Sequence, residues 1–217
     1  MRTAVLLVAT IAAFATPARA QLPKPLPVAV IDVRGFYSGL GQDPTTAAGL
    51  SEIGQPVAAT DLPRRGLGGV VGVHWYLLRK KNIAVGIGGE AMLARGHAQQ
   101  KDETTGEPVG LPITQRFQGT AGLLSLNFGH RDGWSYVSAG MGPLTFNTYQ
   151  GEQPPAAAPP FKMTIHLAAG ARWFASRHFA FCFDLHFYQT KPEIATESYP
   201  GRDRANIRVL SAGIAIR

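Results

Sequence analysis

Nine ionisable side chains stand at alternate positions in segments that otherwise carry large apolar residues. Side chains two residues apart on an extended strand point the same way, so this set is expected to share one interior face. Such a face could serve as a conduction path or gate, or its charges could pair and fill a narrow interior. Because an unpaired buried ion is costly, we favour a paired network. The nine residues are Asp32, Arg34, His74, Glu90, Lys162, His166, Arg172, Asp184 and His186.

His166 and His186 are the residues in this set best suited to bind a metal. Counting back from a short turn near 176–177 places them close together on two neighbouring strands. Neutral imidazoles bind zinc or copper. No third ligand has a convincing spacing, so the sequence favours structural histidines and predicts neither a metal nor another cofactor.

The sequence offers no recognisable catalytic set. It contains no Gly-x-Ser-x-Gly motif and no His-x-Ser pairing at a strand end. Glycine clusters at 66–72 and 86–89 lack the spacing of a nucleotide-binding loop and open no helix. We therefore expect no catalytic residues and no enzyme activity, with a lipid-modifying enzyme as the remote alternative.

β-Strands are the elements that must position the ionisable residues. Residues 179–187 place an aromatic residue or leucine at every odd position, with small or polar residues between them. This period of two is typical of a strand with one apolar and one polar face. The pattern predicts eight strands, at about 28–38, 67–78, 83–95, 114–129, 134–147, 161–174, 179–189 and 206–217.

The connections between these strands alternate in length. The short ones follow strands two, four and six, and the long ones cover 39–66, 96–113, 148–160 and 190–205 and look like solvated loops. An even strand number with short turns at one end and long loops at the other resembles small outer-membrane proteins of the OmpA/OmpX type. The resemblance is architectural. It implies an all-β fold, an eight-stranded antiparallel up-and-down transmembrane β-barrel, monomeric, in a bacterial outer membrane.

A soluble barrel of the lipocalin kind is the structural alternative. It would need large apolar residues inside and polar residues outside. Here the charged residues share their face with glycines such as Gly72 and Gly88, which suit a narrow lumen. Large apolar residues are therefore expected outside, facing lipid. The aromatic residues assigned to an interfacial girdle are Trp75, Trp134, Tyr136, Trp173 and Phe179.

The first 20 residues have the pattern of a removable secretory signal. A basic start is followed by an apolar stretch from Val5 to Phe14, too short to span a bilayer, and by Ala18-Arg19-Ala20. We predict a signal peptide at 1–20, a Pro-rich periplasmic lead-in at 21–27 and the transmembrane barrel at 28–217.

The charge balance allows binding to phosphates, without identifying which molecule carries them. The chain has 21 Lys and Arg against 14 Asp and Glu, and basic residues gather in the short turns. We expect contact with outer-membrane lipids, both lipopolysaccharide and phospholipid head groups, and no binding of nucleic acid, because no supporting fold is present. The expected function is a structural or surface-interaction role with a plugged lumen; a narrow, porin-like passive channel is the alternative.

Overall fold

The computed structural model describes residues 25–102, 104–157 and 160–217. The predicted signal peptide and residues 21–24 of the lead-in lie outside the described residues. The strands are β1 (Ala29–Gly39), β2 (Arg65–Lys80), β3 (Ile83–Ala98), β4 (Ile113–His130), β5 (Gly133–Gln150), β6 (Lys162–Phe174), β7 (Phe179–Gln189) and β8 (Asn206–Ile216). A helix, α1 (Pro44–Ile53), and a 3₁₀ turn at Ala59–Asp61 follow β1.

The eight strands form a closed barrel in which each strand is antiparallel to its two neighbours. β1 pairs with β8 from Ile31 opposite Ile216 to Gly39 opposite Arg208, which closes the sheet. The prediction of an eight-stranded up-and-down barrel is confirmed, and each strand boundary lies within three residues of its predicted place. The short turns meet at one end and the long connections at the other.

Helix α1 lies within 39–66, where the sequence pattern predicts a solvated loop. Asp43 caps the helix by accepting a hydrogen bond from the Thr45 backbone N–H at 3.2 Å, and Pro44 occupies the first turn. Both are recognised helix-start signals. Leu50 packs with Leu62 and Ile113, so the first long connection is a folded cap. Among the described residues, the helical segments are too short and too polar to cross a membrane.

The polarity of the barrel is reversed relative to a soluble protein. On β7 the outward residues, from Phe179 to Phe187, are 40–58% exposed, whereas Asp184 and His186 are almost completely buried. The other strands repeat this arrangement, and the exposed side chains are mainly aliphatic or aromatic. An apolar exterior around a polar interior is the arrangement that lipid requires.

The interior has three layers along the barrel axis. A short-turn apolar layer and a long-loop apolar layer enclose a middle layer of charged residues, and β1 shows the order: Val30, then Asp32 and Arg34, then Phe36. The short-turn layer comprises Leu26, Val30, Tyr76, Ala84, Trp134, Ala180, Cys182 and Ala215. The long-loop layer comprises Phe36, Leu40, Val70, Met92, Ala94, Phe117, Leu144, Phe146, Tyr188, Ile207 and Val209.

Two members of the predicted aromatic girdle lie on the wrong side of the wall. Trp134 and Tyr136 are 2% and 4% exposed, so both face the lumen. Trp134 packs against Tyr76 and Phe174, at ring-centroid distances of 5.8 and 5.3 Å. Tyr136 lies opposite Gly170, which leaves room for its ring inside. The prediction was wrong because β5 carries apolar residues on both faces, so its alternation does not indicate which face is outside.

The other three girdle residues do face outward. Trp75, Trp173 and Phe179 are about half exposed and lie toward the short-turn end of their strands. At the same end, Leu26 from the lead-in is buried inside the barrel, and its carbonyl accepts a hydrogen bond from Arg79 Nη1 at 3.2 Å. The described part of the lead-in therefore lies at the short-turn mouth, with the Leu26 side chain inside the barrel.

Candidate functional site

The candidate site is the middle layer of the lumen, and Arg34 on β1 is its centre. The Arg34 guanidinium donates hydrogen bonds to Asp184 on β7 and to Glu90 on β3. Its Nε also lies 2.8 Å from Asp32 Oδ1. All four side chains are essentially removed from solvent. One guanidinium thus connects three strands across the lumen.

A second arginine belongs to the same layer. Arg172 on β6 donates to Asp32 Oδ2 at 2.6 Å, and its guanidinium lies 4.5 Å from the centre of the Tyr136 ring. His74 Nε2 is 3.1 Å from the same Asp32 oxygen. The Tyr136 hydroxyl donates to Asp184, so this inward-facing tyrosine belongs to the network.

Glycines on the inner wall make room for these groups. A Cβ at Gly72 would lie 2.8 Å from Asp32 Oδ1 and 3.0 Å from His74 Nε2. A Cβ at Gly170 would collide with the Asp184 carboxylate and lie 2.8 Å from the Tyr136 hydroxyl. The small residues noted in the sequence therefore provide the space that the charged layer occupies.

His166 and His186 are adjacent, as their spacing predicted. Arg34 Nη1 lies 3.1 Å from His186 Nε2. Because a guanidinium only donates, we assign Nε2 as the acceptor and place the His186 proton on Nδ1. That nitrogen is 2.7 Å from His166 Nε2, so it donates there. The proton of His166 is then on Nδ1, which faces Glu90 Oε2 at 4.0 Å.

Glu90 lies beside the two histidines as a third group of a type that binds metals. The sequence pattern does not predict its position there. One atom each from Glu90, His166 and His186 lie within 4.8 Å of one another, and zinc accepts these ligand types. A cation on His186 Nδ1 would move the proton to Nε2, where it would face the donor Arg34. The assigned tautomers therefore favour a chain of hydrogen bonds from Arg34 through His186 to His166, which ends 4.0 Å from Glu90 Oε2.

Eight of the nine residues proposed from the sequence meet in this layer. Lys162 does not, since it is the first residue of β6, is half-buried, and forms no salt bridge among the described residues. We define the ionic layer as Asp32, Arg34, His74, Glu90, His166, Arg172, Asp184 and His186. Three hydroxyl groups also contact the ionic layer, those of Tyr136, Tyr188 and Ser211. Neutral hydroxyl groups do not stand out in the sequence, so the pattern did not predict these contacts.

The connection between β7 and β8 covers the long-loop end of the lumen. The Arg202 guanidinium lies 3.9 Å from the centre of the Phe146 ring and 3.7 Å from Glu193 Oε1. Burial raises the pKa of the Glu193 carboxyl and lowers the pKa of Arg202. Reciprocal backbone hydrogen bonds of 2.8 and 2.9 Å join the two residues.

The last residue fastens the opposite end. Arg217 Nε donates to the Arg177 carbonyl at 2.7 Å, and Arg217 Nη1 donates to the Arg131 carbonyl. Its guanidinium also lies 3.8 Å from the centre of the Phe174 ring. These contacts tie two short turns together beneath the barrel.

A closed eight-stranded barrel with an apolar exterior and a charged interior is a small β-barrel of the outer-membrane kind. The structure is similar to that of Neisserial surface protein A (NspA), with a TM-score of 0.50 and 7% identity, covering 88% of this chain and 97% of that one. It is also similar to OprG from Pseudomonas aeruginosa, with a TM-score of 0.49 and 11% identity over 90% of this chain and 97% of that one. No protein-family model and no curated protein matches the sequence.

Proposed function

We propose that this chain is a monomeric protein of the bacterial outer membrane with a closed lumen, and that its long loops serve a structural or surface-interaction role. The observation that carries the proposal is the ionic layer. Its contacts cross the lumen from β1 to β3, β6 and β7, with Arg34 bound by three carboxylates. The interior of eight strands is just wide enough for side chains to fill it.

The monomeric state is supported by the closure of the sheet. Every strand has two hydrogen-bonded neighbours, so no strand edge is left to pair with a second copy. Export through the predicted signal peptide is part of this proposal.

A non-enzymatic role is also part of the proposal. The polar groups that could do chemistry are sealed between two apolar layers, where a lipid substrate would have no access. The exterior in mid-strand is made of aliphatic and aromatic side chains. Mass spectrometry of lipid A after overexpression tests this part, and a modified lipid would contradict it.

Conductance in planar bilayers tests the closed lumen. We expect the purified barrel to insert without opening steady ion-conducting steps, because ion pairs of the ionic layer bridge the lumen from β1 to β3, β6 and β7. Insertion is checked on the same preparation by resistance to protease in vesicles. Inserted protein that conducts steadily would establish the passive channel instead.

A further inference from the structure

The outer surface of the barrel carries charges of only one sign. The strands contain three acidic residues, Asp32, Glu90 and Asp184, and all three point into the lumen. Four arginines point outward near the long-loop ends of the strands. We call Arg65, Arg95, Arg116 and Arg208 the arginine row.

Strand register places the four arginines at a similar level on the outer face, with Arg65 two residues beyond Leu67, which lies opposite Arg95. Arg95 on β3 is directly opposite Arg116 on β4. Gly39 on β1 is opposite both Arg65 on β2 and Arg208 on β8. The row therefore runs over five adjacent strands, about 19 Å at the usual strand spacing of about 4.8 Å.

The pairing of Arg95 with Arg116 is unfavourable for the protein alone. Like charges directly opposite each other on neighbouring strands are destabilising. Arg116 Nε is buried and has no hydrogen-bond partner. Arg95 Nη2 has one weak hydrogen bond, of 3.4 Å, to the neutral hydroxyl of Thr114. Within the described ranges, none of the four arginines has a carboxylate within salt-bridge distance. An anion from outside the protein would relieve this repulsion.

The backbone also leaves space for such an anion. Gly39 separates Arg65 from Arg208, and a Cβ at Gly39 would meet nothing within 4 Å. The outer face over Gly39 is therefore open, and the Arg65 guanidinium lies beside it, 5.9 Å from the centre of the Tyr37 ring. Arginine binds phosphate through parallel N–H donors, so neighbouring guanidinium groups beside an open surface suit a phosphate.

The surroundings of the row indicate what carries the phosphate. Beside it, toward the short turns, lie Tyr37, Leu93 and Leu210, all between 42% and 60% exposed on the outer face. A ligand on this surface meets arginines at one level and apolar side chains immediately below. A lipid with phosphates close to its acyl chains has the matching profile, and several phosphates on one head group would engage the row together.

We propose that the arginine row is a binding site for the phosphates of a phosphorylated glycolipid of the lipopolysaccharide type, in the leaflet that surrounds the long-loop end. This inference rests on the proposed membrane-spanning role and adds the class of lipid and the residues that hold it. The occupant is a membrane lipid and not a soluble polyanion, because the row lies on the barrel wall and not on the loops.

The test compares two lipids on the folded barrel. The protein is refolded in phosphatidylcholine bicelles, and binding of bisphosphorylated lipid A and of its dephosphorylated form is measured by native mass spectrometry. We expect the phosphorylated lipid to bind at least about tenfold more tightly, since two phosphates engage at once. Added salt should reduce this difference, as for any partly exposed ion pair. Equal binding of the two lipids would overturn the inference.

Two double variants locate the site. Arg95→Gln with Arg116→Gln should remove most of the preference for phosphorylated lipid and should itself fold at least as well, because it removes a like-charge pair. Lys191→Gln with Arg204→Gln is the matched control, since it removes the same charge from exposed residues of the β7–β8 loop. Equal losses in both variants would mean that net charge alone attracts the lipid, and the row would not be a site.

Two further outcomes are distinguishable. Binding of a sulfated polysaccharide that depends on Arg95 and Arg116, without any lipid preference, would assign the row to a soluble polyanion and overturn the inference. Failure of the wild-type protein to fold as a barrel in bicelles, read by circular dichroism, would instead contradict the proposed function.

Discussion

Arg34 is the residue on which the interior depends most. It contacts Asp32, Glu90, Asp184 and His186, so it supplies the positive charge or the donor for four partners from two other strands and its own. Alternation in the sequence identifies the inward-facing residues of each strand. It does not show which of these residues, on different strands, come into contact. Which of nine residues would be central depends on the register between strands, which no single segment encodes.

Asp184→Asn tests the pairing around Arg34. Asp184 accepts hydrogen bonds from Arg34 and Tyr136, and an amide keeps the shape while removing the charge. Breaking one partner of a buried ion pair costs about 3–5 kcal/mol, so the urea midpoint of the refolded barrel should fall clearly. Glu197→Gln, at an exposed loop position, is the control and should stay within about 0.5 kcal/mol. Similar small effects in both variants would indicate a water-filled lumen that screens the remaining charges.

The three tryptophans test the corrected girdle. In variants that retain one tryptophan each, lipids brominated near the head-group end of the acyl chains should quench Trp75 and Trp173, which are about half exposed on the outer face. Trp134 should be protected because it lies inside, against Tyr76 and Phe174. Fluorescence in reconstituted vesicles gives the measurement, and quenching of Trp134 as strong as that of Trp173 would restore the original assignment.

At the level of elements, the sequence predicts the strands and turns well but not the side of every strand. A period of two is local, so eight strands with their short and long connections can be read directly. The side is clear for β7, where one face is aromatic and the other holds Asp184 and His186. It is not clear for β5, where Val137 and Met141 outside compete with Trp134 and Tyr136 inside. Only the space left by glycines on the neighbouring strands decides the matter.

The candidate site was partly predictable for the same reason. His166 and His186 flank one short turn, so their proximity follows from counting along a hairpin. Glu90 reaches them from β3 across the lumen, and such a contact requires the closed barrel. Helix α1 was predictable in principle, because Asp43 and Pro44 are start signals, but a short helix in a Gly- and Pro-rich connection has a weak apolar pattern.

The loop between β7 and β8 should respond to pH through Glu193. Burial raises the pKa of this carboxyl in the folded loop above its ordinary value of 4.5. The folded loop therefore holds the proton more tightly than the open loop, so this contribution to stability is full below pH 4.5 and is lost as the pH rises through the raised pKa. Hydrogen-exchange protection factors of the Glu193 and Arg202 amides should fall between mildly acidic and neutral pH.

Glu193→Gln provides the control for this pH effect. The amide does not titrate, so the protection factors of the same two amides should become nearly independent of pH over this range. An increase of protection with pH in the wild-type protein would mean that attraction by Arg202, and not burial, dominates the behaviour of the carboxyl.

At the scale of the whole molecule, side chains occupy the barrel interior at three levels, and the two ends of the barrel differ. Leu26 and Arg217 lie at the short-turn end, the ionic layer fills the middle, and the loop residues around Arg202 cover the other end. The outer surface follows the same axis, with half-exposed tryptophans toward the short turns and the arginine row toward the long loops. In the proposed outer-membrane setting, this polarity predicts an orientation with the long loops outside the cell.

Trypsin added to intact Gram-negative cells that express the chain tests that orientation. Lys101 and Arg204 are exposed in long loops, whereas Lys81 and Arg131 lie in the short turns. Exposed loops are preferred cleavage sites, so the first cuts should follow Lys101 and Arg204. The short turns should be cut only after the outer membrane is permeabilised. Fragments mapped by mass spectrometry give the order, and early cleavage after Lys81 or Arg131 in intact cells would reverse the proposed orientation and move the arginine row to the inner leaflet.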